Sequence, residues 1–332
     1  MQKGKVMRVL FYGAGAVGLA FSASLISAGF DVSFYARAST ALNLMLEGIH
    51  ITGVLGKKKV ESTKFKVLNS IELVLREKFD VIVLCTKLTE IESLVKEFMQ
   101  VYDANPEAKV VLLQNGWGIN RLFKGKIADQ NLFNAFIHLG INRPKLHCAD
   151  ITAVGGPSAF GNITHRTVDP TVEKLCQGIQ AGGVPCEYSS DIGSLIWSKM
   201  LYNCTTNPLS FIMSSKNGEL VRTSYSQELI ASLVVEIFAV IKALGYAVPW
   251  STPEEYTEVL IKQLIPYSSE HVSSMQQDRI NKRVTEVDFL NGAVVAVAKE
   301  KGLPAVANTL IYNLVKSIEA FYLSKEKDKK EA

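Results

Sequence analysis

The sequence is poor in the residues that build metal clusters and disulfide frameworks. It has five cysteines and five histidines in 332 residues. The cysteines, Cys85, Cys148, Cys176, Cys186 and Cys204, are odd in number and no two form a C-x-x-C pair, while the histidines are dispersed. Neither a zinc site nor a disulfide framework is expected, and no metal is assigned. Charge of one sign is also lacking. The 36 Lys and Arg against 32 Asp and Glu leave a net charge of +4, scattered along the chain. That is too slight for a nucleic-acid surface, so no nucleic-acid partner is expected. The one charge run, residues 325–331, mixes both signs and reads as a frayed tail. Long apolar runs are missing too. The most apolar stretch, residues 229–244, is interrupted by Glu236 and Lys242 and is too short to span a bilayer. The first residues lead into a strand at about Arg8, without the apolar stretch and small-residue cleavage site of a signal peptide. A soluble, cytoplasmic chain with reduced thiols and no membrane partner is the expectation.

What is present is a globular composition, 48% hydrophobic and 20% charged, which can bury a large core and excludes a disordered or collagen-like chain. The length suggests two domains, and the patterning agrees. Up to about residue 161, short apolar runs alternate with helical ones. Residues 9–12, 32–35, 81–84 and 110–113 read as strands, the first and third as runs buried on both faces. Residues 17–28 and 90–101 read as helices between them. Such β-α alternation implies a mostly parallel, doubly wound sheet. Residues 49–67 alternate and carry Gly53 and Gly56, as a hairpin excursion would. Residues 132–160 read as strands at the sheet edge. After about residue 191, helical spacing takes over at 193–204, 226–244, 253–264, 284–301 and 305–323, punctuated by Gly245, Pro249, Pro253, Pro266 and Pro304. The expected domains are 1–190, 191–324 and a charged tail, 325–332.

Five constellations carry chemistry. The first is Gly13-Ala14-Gly15-Ala16-Val17-Gly18. It follows a buried-strand signal and opens a helix that leads to a second strand, the context that makes G-x-G-x-x-G a dinucleotide fingerprint. Gly13 allows the tight turn, Gly15 the approach of a pyrophosphate, and Gly18 close packing of helix on strand. Phosphate then sits on the helix N-terminus, where free N–H groups and the dipole favour an anion. The second strand ends in Ala36-Arg37 with no acid nearby, and Asp31 stands at its wrong end. A carboxylate there would select the 2′-hydroxyl of NAD, whereas a guanidinium pairs with a 2′-phosphate. The residues therefore favour NADPH. The second constellation, Cys85-Thr86-Lys87, closes the strand 81–84 at the ligand-binding edge of the sheet. Lys87 could face the cofactor or be a surface lysine. The third, Gln114-Asn115-Gly116, follows the strand 110–113. Asn115 aims an amide at the same edge, although Asn-Gly is also an ordinary turn.

The fourth constellation lies in residues 197–209, WSKMLYNCTTNPL. Lys199, Asn203 and Asn207 are spaced i, i+4, i+8 and share one helix face among apolar neighbours. One ammonium and two amides in line suit a bound oxyanion or a carbonyl being reduced, or else a hydrogen-bonded stripe that is purely structural. The fifth comprises residues 273–278, SSMQQD, and 285–292, TEVDFLNG. Here Ser274 or Thr285 could be helix caps and Glu286 a first-turn acid.

These motifs, with N-G-E-L at 217–220, occur in the order found in the ketopantoate reductase (2-dehydropantoate 2-reductase) family, which the chain resembles from about Arg8 to Lys316. The resemblance implies a Rossmann-type N-terminal domain, then an all-α C-terminal domain. It also implies NADPH-dependent reduction of 2-dehydropantoate to (R)-pantoate, a step toward pantothenate and coenzyme A. Carried over residue by residue, it assigns Gly13, Gly15 and Gly18 to the phosphate turn, Arg37 to the 2′-phosphate and Lys87 to the cofactor. Asn115 matches a contact to cofactor and substrate, and Lys199 matches the proton donor. Asn203, Asn207, Asn217 and Ser274 match substrate positions. Glu286 matches the glutamate that supports catalysis and touches the cofactor. Glu90 departs from the family, which often has Gln or Asp there, and segment 136–161 matches it only loosely. A sister reductase of another 2-oxo acid, or an NADPH-binding regulator without turnover, would share the scaffold. If the chain self-associates, a homodimer through the helical domain is expected.

Overall fold

The computed structural model describes residues 6–88 and 91–331, the last six as backbone alone. Glu90 lies outside the described residues. The chain divides into two compact units. One comprises Met1–Gln114 and Ile119–Ile192, and the other Asn115–Gly118 and Gly193–Ala332.

The first unit is built on strands that start and stop where apolar runs do. β1 (Arg8–Tyr12), β2 (Asp31–Tyr35), β3 (Ile49–Gly53), β4 (Lys58–Val60), β5 (Lys66–Leu68), β6 (Val81–Leu84), β7 (Lys109–Leu112), β8 (Leu132–Phe136), β9 (Leu139–Asn142), β10 (Cys148–Val154), β11 (Ser158–Gly161) and β12 (Cys186–Tyr188) form two sheets. The larger has the order β12-β11-β8-β7-β6-β1-β2-β5. From β5 to β8 its strands are parallel, with Val9 opposite Val32 on one side and opposite Val81 on the other. β11 runs antiparallel to β8 and parallel to β12. Helices α1 (Ala16–Ser27), α2 (Ala38–Glu47), α3 (Ile71–Leu75), α4 (Ile91–Asp103) and α5 (Pro170–Ala181) flank the strands. Val9, Phe11, Phe34, Val81 and Val83 are sealed from solvent with Leu19 and Phe21 of α1. This is a doubly wound sheet, and the strand order reverses between β1 and β6, the place where such sheets bind ligands.

The excursion expected at 49–67 is a hairpin only over β3 and β4. The strands expected at the sheet edge divide: β8 and β11 join the large sheet, whereas β9 and β10 leave it to complete a second sheet of order β4-β3-β10-β9. β3 and β10 pair in parallel across a long sequence separation, which no local pattern discloses. Their inward residues Ile49, Ile51, Ala149 and Ile151 join the same core. No sequence expectation covered α2, α3, α5 or β12.

The second unit is helical: α6 (Ile192–Met213), α7 (Ser224–Leu244), α8 (Pro253–Val259), a π-helical turn over Leu260–Leu264 running into α9 (Ile265–Tyr267), α10 (Ser274–Ile280), α11 (Asn291–Lys301) and α12 (Val306–Glu331). α6 continues through Pro208. A proline there cannot donate to the carbonyl of Cys204, four residues back, and buried Asn291 donates its Nδ2 to that oxygen instead, at 2.9 Å. Glu236, which interrupts the apolar run of α7, accepts from the backbone N–H groups of Ala307 (2.8 Å) and Asn308 (2.9 Å) and so caps α12. Two expectations are corrected. The helix expected from residue 284 begins at Asn291, because Val287–Phe289 forms a 3-10 turn and Leu290 leaves helical geometry (φ −105°, ψ −104°). The charge run expected as a frayed tail is helical backbone through Glu331, consistent with the high helix propensity of Lys and Glu. Among the described residues, no helix is long and apolar enough to cross a membrane.

Candidate active site

In the first unit, the fingerprint loop joins the C-terminal end of β1 to α1. Gly13 has φ +100°, and a Cβ on it would lie 2.7 Å from Thr86 Cγ2. A Cβ on Gly15 would lie 3.2 Å from Cys85 O, and one on Gly18 2.9 Å from Cys85 Sγ. The loop is thus pressed against the end of β6, and Gly13 N–H donates to Tyr35 O at the end of β2 (2.9 Å). Gly15 caps α1 without a side chain, which leaves first-turn N–H groups for an anion. Ala14 is buried, and Ala16 and Val17 are half-buried as the helix opens. Cys85 donates its thiol to Gly13 O (2.9 Å), and burial pushes its pKa up to about 12, so it packs rather than reacts. Arg37 is exposed at the N-cap of α2, just past β2. Lys87 is exposed just past β6. Asp31 stands at the start of β2 and pairs with Arg8 (3.5 Å), so it is spent at the opposite end of the sheet. Gln114, past β7, donates to Thr86 O (3.0 Å), while Thr86 Oγ1 and Gln114 Oε1 are buried without a partner. A cradle that a Cβ would fill, an uncapped helix start and orphaned polar atoms beside it fit a dinucleotide.

The second unit holds a polar triad. Lys199 on α6 donates from Nζ to Asn115 Oδ1 at 2.8 Å, and Asn115 Nδ2 reaches Glu286 Oε2 at 3.5 Å. Local backbone geometry explains why Asn115 stands there. Gly116 has φ +108°, and a Cβ on it would lie 2.3 Å from Phe289 O, so only glycine lets this turn close on residues 286–290. Trp117 N–H donates to the same oxygen (2.8 Å), and the Trp117 ring lies 5.2 Å from that of buried Trp197 on α6. Glu286 is anchored from the other side. Its neighbour Thr285 donates both N–H and Oγ1 to the buried carboxylate of Glu319 on α12, each at 2.7 Å. Lys316 links Glu319 (2.9 Å) to Asp288 (3.0 Å). Burial pushes the Lys199 pKa down to about 8, opposed by the upward pull of the Glu286 carboxylate.

Asn203 and Asn207 follow Lys199 along α6, the first half-buried and the second buried. Buried Asn217 is tied to the same helix through Tyr202, to whose hydroxyl it donates at 2.9 Å, and its Oδ1 has no partner. Ser274 is exposed as the first residue of α10, and the cap is its neighbour Ser273, which accepts from Gln276 N–H (3.1 Å) and bonds to Ser210 of α6 (2.5 Å). The structure therefore brings Lys199, Asn115 and Glu286 into one hydrogen-bonded group. It attaches Asn217 through Tyr202 and leaves Ser274 one residue from the link to α6. Tyr202 and Glu319 were missed in the sequence. Tyr202 stands three residues after Lys199, a helical neighbour position that marked it. Nothing local marked Glu319.

The relatives of this chain define its class, an oxidoreductase acting on a CH–OH group, and the fold supplies a Rossmann-type unit and a helical unit. Residues 9–164 match the family described as ketopantoate reductase PanE/ApbA, and residues 191–319 match ketopantoate reductase PanE/ApbA C terminal. The 2-dehydropantoate 2-reductase of Aquifex aeolicus (strain VF5) is 26% identical over 318 residues, 96% of this chain and 99% of its own. A PanE/ApbA family ketopantoate reductase from Ralstonia eutropha JMP134 matches with TM-score 0.81 and 25% identity over 95% of this chain and 99% of its own. D-mandelate dehydrogenase, solved with NADH and anilino(oxo)acetate, shares the fold at TM-score 0.79 and 21% identity, over 95% of this chain and 99% of its own. The chain belongs to the ketopantoate reductase family.

Proposed function

We propose that the protein reduces 2-dehydropantoate to (R)-pantoate with NADPH, a step of pantothenate and coenzyme A formation. The observation that carries this reading is the Lys199–Asn115–Glu286 group, in a chain of this family. When bound, the cofactor supplies the hydride to C2 of the 2-oxo acid. Gly13, Gly15 and Gly18 with the first turn of α1 hold its pyrophosphate. Arg37 pairs with the 2′-phosphate, and Lys87 adds charge at the adjacent strand end. Lys199 stabilises negative charge on the C2 oxygen and delivers the proton that turns it into a hydroxyl. Asn115 fixes the ammonium by accepting from it. Glu286 holds the amide of Asn115 and keeps Lys199 more readily protonated than burial alone allows. Asn203, Asn207, Asn217 and Ser274 bind the carboxylate and hydroxyl ends of the substrate, so that C2 is held in one orientation.

The test is the Lys199→Ala variant, assayed for turnover and, separately, for NADPH binding. We expect kcat to fall by at least about 100-fold, the scale of a lost general acid, with NADPH affinity retained. A near-wild-type kcat ends the proton-donor assignment. NADPH binding by the unmodified protein with no turnover of any 2-oxo acid supports a regulator instead.

A further inference from the structure

Away from the residues of the proposed reaction, the outer face of the small sheet gathers three metal-ligating side chains. His50 on β3 and Cys148 on β10 are direct partners in the parallel pairing, and His147 precedes Cys148. One donor atom from each of the three residues lies within 4.8 Å of the other two. We propose that His50, His147 and Cys148 form a binding site for a thiolate-accepting divalent cation, Zn²⁺ foremost, that clips β3 to β10.

The backbone holds the cluster in place. His50 N–H donates to His147 O at 2.9 Å, and the two imidazoles stand edge to face with centroids 5.0 Å apart. The same outward face carries Thr52 and Asp150, joined at 2.6 Å, while Ile49, Ile51, Ala149 and Ile151 point into the core. The sheet thus presents His50 and Cys148 side by side on a rigid base. Each imidazole also has a hydrogen-bond partner on one ring nitrogen. His50 Nε2 lies 3.1 Å from Glu47 O, and His147 Nδ1 lies 3.3 Å from Asn43 Oδ1. Such partners orient ligating histidines and fix which nitrogen faces the metal. Zinc bonds of about 2.0 Å to nitrogen and 2.3 Å to sulfur set donor separations of roughly 3.4–3.6 Å. Side-chain rotations of about an ångström therefore close the set. Two imidazoles and a thiolate select Zn²⁺ over Mg²⁺ or Ca²⁺, which prefer oxygen. On binding, the Cys148 sulfur–metal bond replaces its S–H bond and the proton goes to solvent. Water completes the four-coordinate shell; the Glu47 carboxylate and the Lys145 ammonium both act on His147 and Cys148 with opposite signs, so the thiolate is the charge that offsets the cation.

The experiment uses the full chain, reduced and stripped of metal. Zn²⁺ is titrated against a chromogenic chelator, and Co²⁺ is added separately to read its thiolate-to-metal absorption band. We expect one equivalent per chain. Cys148→Ser should abolish the cobalt–thiolate band, and His50→Ala and His147→Ala should each weaken Zn²⁺ by at least about tenfold. Each variant is first checked for a wild-type melting transition without metal. Asn43→Ala keeps all three ligands and should weaken Zn²⁺ if a ligand variant fails to fold. Binding of less than one equivalent overturns the proposal. So does a cobalt–thiolate band that survives Cys148→Ser, which would move the metal to another thiol such as Cys176 or Cys186.

Discussion

The proposed proton transfer sets two opposing demands on Lys199: it sits away from water, and it must hold a proton. With a pKa of about 8, the amine is protonated about ten to one at pH 7. As pH rises through about 8 the donor form is lost, so kcat/KM for reduction should fall across that range while the reverse oxidation, which needs the free amine, should gain. Glu286 raises this pKa, so Glu286→Gln should move the inflection to lower pH. An unmoved inflection in the pH profile would remove Glu286 from the electrostatics of the group. Arg37 makes the second prediction at this scale. Arg37→Ala should weaken NADPH far more than NADH in a direct titration, and equal losses would refute its pairing with the 2′-phosphate. Both residues were legible in the sequence, Lys199 from its i, i+4, i+8 companions and Arg37 from its place at a strand end without an acid. The hydrogen bonds from Lys199 to Asn115 and from Asn115 to Glu286 were not legible, because they join three segments far apart in the chain.

At the scale of elements, the helical unit depends on polar groups that repair its own irregularities. Pro208 frees a carbonyl in the middle of α6, and Asn291 satisfies it while also donating to Asn308 Oδ1 at 3.0 Å. Asn291→Leu should cost about 1–3 kcal/mol, the penalty of a buried acceptor left without a partner, read as a lower melting midpoint. An unchanged midpoint would mean that α6 needs no such repair. The sequence showed both Pro208 and the Asn-Gly pair at 291–292, but their connection exists only in three dimensions. The strands of the large sheet were legible for the opposite reason. Runs such as VIVL at β6 are buried throughout and declare themselves locally. β9 and β10 were placed wrongly because a short alternating strand suits either sheet, and only the long-range β3–β10 pairing decides between them.

For the whole molecule, the sequence motifs settle the scaffold more firmly than they settle the substrate. In the proposed reaction the glycine cradle and the Lys–Asn–Glu group would serve reduction of any 2-oxo acid, and D-mandelate dehydrogenase shares the fold. Discrimination among such acids rests on the side chains that meet the remainder of the substrate, where a single methylene is worth about 10- to 200-fold. The measurement that bears most directly on the central claim is cofactor oxidation followed by absorbance, with 2-dehydropantoate beside pyruvate, 2-oxoisovalerate and 2-oxoglutarate, each with NADPH and with NADH. The account predicts a kcat/KM for 2-dehydropantoate at least about tenfold above every other acid, with NADPH preferred. Equal or faster turnover of another acid, or no turnover of 2-dehydropantoate, would contradict it.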